Sequence, residues 1–396
     1  MKKILIAYPE MMVGGSTTSL LAFLNCLVKS KYEVDLQLYK NRGPLLSDIP
    51  EGINLLPEAF MHQGKIGTVA KILKGVFSGM LLKAHMENKK RGLKGYSGRI
   101  LSDFQAKHLS RRNEVHYDYA IGFLEGWSDR YIAYRVKANK KYAWLHSTFE
   151  NITKYPDDEL SWMTCVDNIV FVTEKCREDF AKTLPQMADK SLAVENITDS
   201  EIVRKRAEVR DLSDEAYNRF IAFDGFKVIT VCRLDFKIKG LDRIVVCAKK
   251  IKDRGARFLW YIVGDGPGEE ELTSLIRENG VDDVLIPIGK RMNPYPFIKA
   301  SDIMCMPSRY EGKPMVITES MILGTPPVVT EYLSARDQID SGREGIVVSN
   351  DDFAIIDAVE FCVNNPDKVA DMSNYLLSRE YGNKEYMSEI ENKLFV

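Results

Sequence analysis

The chain has 396 residues, of which 45% are apolar and 28% charged, and its formal net charge is −1. That length favours two domains with a core each, the composition excludes a disordered chain, and the balanced charge excludes a general nucleic-acid binder. Seven cysteines without C-x-x-C spacing read as buried thiols of a reducing compartment, and no apolar run approaches the ~20 residues of a membrane-spanning helix.

The segment Lys3-Ile-Leu-Ile-Ala-Tyr8 reads as a first buried strand. Its apolar run stops at Pro9, too early for a signal sequence, so a cytoplasmic protein is expected. A glycine loop follows at Gly14 and Gly15, and Leu20, Leu21, Leu24 and Leu27 then recur with helical spacing. Residues 33–39 alternate and predict a second strand. The unit is Rossmann-like but lacks G-x-G-x-x-G, so no dinucleotide fingerprint is present.

Residues 57–115 read as an elaboration. Between positions 65 and 112 stand 12 Lys/Arg against only Glu87 and Asp103. Ile66, Val69, Leu73, Val76, Phe77 and Met80 recur between them at the spacing of an amphipathic helix. Such a basic helix is either a solvated face or a surface that lies on an anionic membrane.

Three further strands are predicted at 117–122, 141–145 and 168–173, with Glu125 just past the first and His146 at the end of the second. A short strand near 191–196 closes this half. Residues 197–226 are charged and without strand signals, and read as a helical linker. A second Rossmann-like half opens with a strand over 227–232. Arg233 stands at its end, and Lys237 and Lys239-Gly240 follow on a loop before a helix at 241–254. Strands at 257–263 and 284–289 end in Gly264-Asp265-Gly266-Pro267 and in Gly289-Lys290-Arg291.

The densest signal is Pro307-Ser-Arg-Tyr-Glu-Gly-Lys-Pro, followed by a helical segment ending at Gly324. It reads as strand, loop, helix, strand, with Pro314 at the first helical position and Gly324 as the stop. Glu311 lies on the loop and Glu319 inside the helix. A carboxylate accepts paired hydrogen bonds from a vicinal diol, each worth about 1.5–3 kcal/mol. The N–H groups of Gly312, Lys313, Met315 and Val316 flank Pro314 at the helix start, where an anion gains about 0.3–1 kcal/mol. A diol plus a phosphate describes a nucleotide-sugar. Two isolated glutamates are more often solvated surface acids, so the weight falls on their surroundings.

Those surroundings resemble a known family. Glu311-x7-Glu319, set in Ser-Arg-Tyr-Glu-Gly and Glu-Ser-Met-Ile-Leu-Gly-Thr-Pro, is similar to the signature of retaining glycosyltransferases of the GT-B fold, family 4, of the bacterial polysaccharide and glycolipid type. The glycine loop, the strand-end histidine, the Arg-Leu…Lys-Gly pattern and Gly-Asp-Gly-Pro match in order, while residues 57–115 match no motif. The resemblance implies an α/β chain of two Rossmann-like domains facing across a cleft. Residues 1–196 would hold the acceptor, 197–226 would be the linker, 227–380 would hold the donor, and a helix in 381–396 would cross back.

It also implies transfer of a sugar from a nucleotide-sugar, with a UDP-sugar expected, to a hydroxyl of a saccharide or lipid-linked acceptor. Arg233 and Lys239 would pair with the diphosphate, Lys237 competing with Lys239 for that role. Gly14 and Gly15 would approach the diphosphate through backbone N–H groups, and Gly289, Lys290 and Arg291 would lie by the nucleobase. Glu319 would bind the ribose, Glu311 the donor sugar near the reacting carbon, and His146 the sugar from the other domain. Glu125 is a second candidate on the acceptor side. No Asp-x-Asp pair is present, so no metal and no cofactor are expected. The expected location is the cytoplasm, peripheral on the inner face of the plasma membrane, with no nucleic-acid partner. A nucleotide-sugar epimerase or a non-catalytic nucleotide-sugar-binding adaptor would share the architecture.

Overall fold

The apolar runs become parallel strands because a strand covered on both faces needs no polar alternation. In the first of them Ile4, Leu5, Ile6 and Ala7 are all fully buried. The structure, a computed structural model, describes residues 1–60, 86, 102–153 and 155–395. The chain divides into two units, Met1–Asn196 with Glu385–Val396, and Ile197–Lys384.

The first unit holds β1 (Lys2–Tyr8), β2 (Tyr32–Leu38), β3 (Asn54–Leu55), β4 (His116–Gly122), β5 (Lys137–Leu145), β6 (Asn168–Phe171) and β7 (Ser191–Ala193). Their order is β3-β2-β1-β4-β5-β6-β7. Ile4 stands opposite Val34 on one side and Tyr119 on the other, both pairings parallel, so the strand order reverses between β1 and β4. β3 has only two residues, too few for any apolar run to announce it. The C-terminal helix Met387–Leu394 belongs to this unit. Tyr142 donates its hydroxyl to the carbonyl of Leu394, and Tyr119 donates to that of Phe395 at 2.7 Å.

The second unit holds β8 (Phe226–Val231), β9 (Phe258–Val263), β10 (Leu285–Gly289), β11 (Ile303–Met306), β12 (Pro327–Thr330) and β13 (Ile346–Val348). Their order is β10-β9-β8-β11-β12-β13, reversing between β8 and β11. Alternate residues serve opposite faces of the sheet. Val228, Trp260 and Ile262 pack with Leu241, Ile244 and Ala248 of the helix Leu241–Asp253. Ile229, Tyr261 and Val263 pack with Ile317 and Met321 of the helix Met315–Ile322.

Residues 197–226, expected as a linker, are part of this second core. They form the helices Ser200–Ala207 and Glu215–Ala222, capped by Asp199 and Asp214. Val203, Ala207, Tyr217 and Phe220 are buried with Ile229 and Tyr261. One narrow apolar stripe per helix suffices for that, and the charges on the other faces hid it in the sequence. Most of the basic segment 65–112 lies outside the described residues. No helix among the described residues is long and apolar enough to cross a membrane.

Candidate functional site

Ligands of open parallel sheets bind beyond the carboxyl ends of the strands, where the strand order reverses. In the second unit that point lies between β8 and β11. β8 leads to Arg233, and β11 leads through Pro307 to the loop carrying Glu311.

Two local devices bring these loops together. Asp235 caps a short turn, its Oδ1 accepting from the N–H groups of Lys237 (3.0 Å) and Ile238 (3.2 Å). Gly240 ends the turn at φ +63°, and a Cβ there would stand 2.3 Å from the Pro307 carbonyl oxygen. Only glycine combines that left-handed backbone with so close an approach. The Arg309 N–H then donates to the Ile238 carbonyl at 2.7 Å, and the Arg309 guanidinium grips Asp242 at 2.9 and 2.6 Å.

The product is an ion pair: Lys239 Nζ lies 2.5 Å from Glu311 Oε1. Burial pulls the Lys239 ammonium down, but the Glu311 carboxylate offsets it, and the pKa lies above the ordinary lysine value. Lys237, two residues earlier, is exposed, as is Arg233. Of the two lysines it is therefore Lys239 that faces the strand-order reversal.

The helix Met315–Ile322 starts next to this pair without a side-chain cap. Pro314 is not its first residue, as the sequence suggested, but the residue before it, with extended backbone at φ −68° and ψ 121°. Gly312 is fixed through its carbonyl, which accepts from the Ser334 hydroxyl, and Pro314 through its own, which accepts from Gln338 Nε2 at 3.1 Å. Lys313 and Val316 are half-buried and Met315 is buried.

Glu319 is 5% exposed. Its Oε1 accepts from the Tyr295 hydroxyl at 2.9 Å, and the Arg206 guanidinium covers the Tyr295 ring at 5.4 Å. Burial pushes its carboxyl up to about 7, against the smaller opposing effects of Tyr295 and Arg206. A helix acid set in an apolar face is not a solvated surface residue. Nothing in the local sequence announces Tyr295 as its partner, since they come from different helices.

The turn after β9 is built against the turn after β8. A Cβ on Gly264 would lie 1.8 Å from the Cys232 carbonyl oxygen, and one on Gly266 2.6 Å from that of Leu234. Gly289 ends β10 at φ +71°, and a Cβ on it would lie 4.0 Å from Arg291 Nη1. Lys290 Nζ lies 3.5 Å from Asp265. Arg291 is turned to a structural pairing: its Nε donates to Asp214 at 2.7 Å, and Asp214 also caps the helix Glu215–Ala222. Its backbone, rather than its guanidinium, is left for a ligand near this strand end.

In the first unit the corresponding point lies between β1 and β4. Gly14 and Gly15 open the helix Gly15–Val28, exposed and without a side-chain cap. Gly14 is extended at φ 170°, and a Cβ on it would meet nothing within 4 Å. The fold therefore leaves open space at this glycine. At the end of β1, the Tyr8 hydroxyl is hydrogen-bonded with Ser16 (2.8 Å) and Thr17 (3.0 Å).

Glu125 and His146, expected from the ends of β4 and β5, are in contact: the His146 N–H donates to Glu125 Oε2 at 2.9 Å. Burial raises the Glu125 carboxyl above its ordinary value, against the backbone hydrogen bonds it accepts. Asn196, to which the sequence reading gave no role, places its Nδ2 3.2 Å from His146 Nδ1. Its signal was its position two residues past the buried Val194, beyond the end of β7.

The second site thus combines a paired cation, an open helix N-terminus and a buried carboxylate. It is equipped to hold an anion and a polyol. Among the described residues no group of three or more His, Cys, Asp or Glu is placed to hold a metal ion.

Known proteins resemble this chain. Residues 218–379 match the family model described as Glycosyl transferases group 1. An uncharacterized glycosyltransferase of Haemophilus influenzae is 27% identical over 180 residues, covering 43% of this chain and 50% of that protein. The alpha-D-kanosaminyltransferase of Streptomyces kanamyceticus is 26% identical, covering 46% of each. The matched part of the chain thus spans about half the length of these curated relatives. Among solved structures, Anabaena Alr3699/HepE in complex with UDP and glucose superposes with a TM-score of 0.72 at 15% identity, covering 100% of both chains. WaaG, a glycosyltransferase involved in lipopolysaccharide biosynthesis, gives 0.62 at 14% identity, covering 98% of this chain and 99% of its own. The fold is the α/β arrangement of two parallel, Rossmann-like sheets found in GT-B structures.

Proposed function

We propose that this chain is a retaining, metal-independent glycosyltransferase that moves a sugar from a nucleotide-sugar, taken to be a UDP-sugar, to a hydroxyl of a saccharide or lipid-linked saccharide. Surface polysaccharide or glycolipid synthesis is the setting. The observation that carries this reading is the Lys239–Glu311 pair beside the uncapped helix Met315–Ile322, within the segment that matches the group 1 model. The relatives named as polysaccharide enzymes, among them a putative colanic acid glycosyltransferase of Salmonella typhimurium that is 30% identical over 136 residues, support the setting. The UDP and glucose bound by Anabaena HepE support the donor class.

In this reading the bond between the anomeric carbon and the diphosphate oxygen breaks, and its electron pair leaves with the nucleoside diphosphate. The acceptor oxygen bonds to that carbon on the same face, and its proton passes to an oxygen of the leaving phosphate. Lys239 and Arg233 neutralise the departing charge, where fixed cations contribute most. The N–H groups of Met315 and Val316 face the phosphates, and the Gly14-Gly15 loop keeps the backbone role that the resemblance gives it. The Glu319 carboxylate accepts the ribose hydroxyls. Glu311, released from Lys239, contacts the donor sugar, and Glu125 and His146 line the acceptor side. Gly289 and Lys290 offer backbone to the nucleobase. The basic stretch 65–112 holds the enzyme on the anionic inner face of the plasma membrane.

The test is a panel of UDP-, GDP- and ADP-sugars in thermal-shift and hydrolysis assays. One donor is expected to raise the melting temperature by mass action and to release free sugar slowly, with the anomer retained. Binding of none of them, or release with inversion, overturns the reading. Interconversion of sugars would mark an epimerase, and binding without turnover an adaptor.

A further inference from the structure

His146 is set in an apolar wall, with its ring 4.8 Å from that of Phe123 and 6.3 Å from that of Trp144. The neighbouring charged group is Glu125, whose carboxylate is engaged by the backbone N–H of His146 and not by its ring. Among the described residues the ring has one polar partner, Asn196, with Nδ2 3.2 Å from Nδ1. An amide nitrogen can only donate, so Nδ1 must accept. A neutral imidazole that accepts at Nδ1 carries its proton on Nε2. That Nε2 is buried and has no hydrogen-bond partner among the described residues. Burial also pushes the ring's pKa down to about 3, so it stays neutral at any working pH.

We propose that Asn196 is a positioning residue that fixes His146 as the Nε2–H tautomer, making the ring a one-way hydrogen-bond donor to an oxygen of a bound sugar and not a proton acceptor. The tautomer follows from the orientation of the Asn196 amide; the identity of the ligand rests on the sugar-transfer reading. Two consequences follow. The proton of the acceptor hydroxyl does not go to His146, which leaves the departing phosphate to take it. A sugar analogue that lacks the contacted oxygen leaves a buried donor unpaired, which is how such sites discriminate strongly between ligands.

The experiment is long-range 1H–15N NMR of the full chain labelled at histidine, with the His146 signal assigned by His146→Gln. The expected result is a protonated Nε2 and an unprotonated Nδ1, both unchanged between about pH 5 and 8, the range in which an ordinary histidine titrates. Protonation at Nδ1, or titration within that range, overturns the proposal. Asn196→Asp supplies the second arm. A carboxylate accepts from Nδ1–H, so the proton is expected to move to Nδ1 or the ring to begin titrating, while Asn196→Gln retains the wild-type pattern. If the aspartate variant fails to fold, the wild-type spectrum still decides the tautomer.

The ligand contact is read separately, as donor-sugar hydrolysis and transfer at constant pH. Asn196→Asp is expected to lower turnover by tenfold or more, about 1.4 kcal/mol of transition-state binding. Unchanged turnover with the tautomer moved overturns the sugar contact. An Nε2–H tautomer in a chain that turns over no nucleotide-sugar supports the Asn196 assignment and overturns the function reading instead.

Discussion

Lys239 Nζ and Glu311 Oε1 lie 2.5 Å apart although 72 residues separate them in the chain, and they meet where the second sheet reverses its strand order. The carboxylate holds the cation that the proposed function assigns to a diphosphate. Under the proposed function, donor binding exchanges one anion for another on Lys239 and frees Glu311 for the sugar. Lys239→Ala is expected to lower kcat by about 10²–10³-fold, the range for loss of one electrostatic stabiliser, with a smaller change in KM. It leaves a largely buried carboxylate unpaired, so urea unfolding is expected to show a loss of about 1–3 kcal/mol. Adding Glu311→Gln is expected to recover part of that stability and none of the turnover. An unchanged kcat places the site elsewhere.

The Gly240 turn sets this geometry. Gly240→Ala meets both a left-handed backbone at φ +63° and a Cβ position 2.3 Å from the Pro307 carbonyl oxygen. The backbone alone costs roughly 1–2 kcal/mol, and the clash forces the two loops apart. Gly255→Ala, at φ +78° with open space, is the control and is expected to lose only the backbone part. Equal losses of stability in the two variants would show that the loops separate without cost.

Glu319 makes stability depend on pH, and under the proposed function it is expected to make nucleotide binding depend on pH in the opposite way. Its carboxyl is raised from 4.5 to about 7 in the folded chain, mainly by burial. The folded state therefore holds a proton that the unfolded state has released, and this contribution is present in full at low pH. It is lost as pH rises from about 4.5 to 7 and levels off above, a change on the order of 3 kcal/mol. Relative to wild type, Glu319→Gln is expected to be more stable at pH 8 than at pH 5, read from melting curves at both. Ribose hydroxyls favour the ionised carboxylate, so nucleotide affinity is expected to rise through pH 7 in wild type and to stay flat in the variant.

The proposed charge neutralisation by Lys239 and Arg233 predicts that turnover survives chelation. Activity in excess EDTA is expected to equal that in its absence. Complete loss, restored by magnesium or manganese, would refute metal independence.

The basic stretch predicts salt-sensitive membrane docking. Each Lys or Arg near an anionic surface contributes about 1 kcal/mol, fading within a Debye length of about 8 Å at physiological salt. Co-sedimentation with vesicles containing anionic lipid is expected, weakening at high salt and in the variant with Lys89, Lys90, Arg91 and Lys94 changed to Glu. Equal sedimentation with neutral vesicles, or none with either, would favour a soluble acceptor.

The sequence by itself determined most of the strands, though not the two-residue β3, because a strand buried on both faces leaves an apolar run that survives in one dimension: 3–8 and 227–232 are such runs. It also placed Gly14, Arg233, Lys239 and Glu311 just past strand ends, where chain order alone puts a loop. What it could not decide was which of these side chains meet. Lys237 and Lys239 are two residues apart on one turn, and only the approach of Gly240 to Pro307 turns Lys239 toward Glu311. Glu319 reads as a surface acid until Tyr295 and the core around Ile317 and Met321 close over it. The stretch 197–226 reads as linker because its charges outnumber the few residues that pack. Arg291 reads as a neighbour of the nucleobase, and only the fold shows Asp214, 77 residues away, claiming its guanidinium. The tautomer of His146 depends on Asn196, 50 residues on. Each of these is a long-range contact whose free energy depends on burial, and burial is set by how the helices pack on the sheet, which no local pattern of residues encodes.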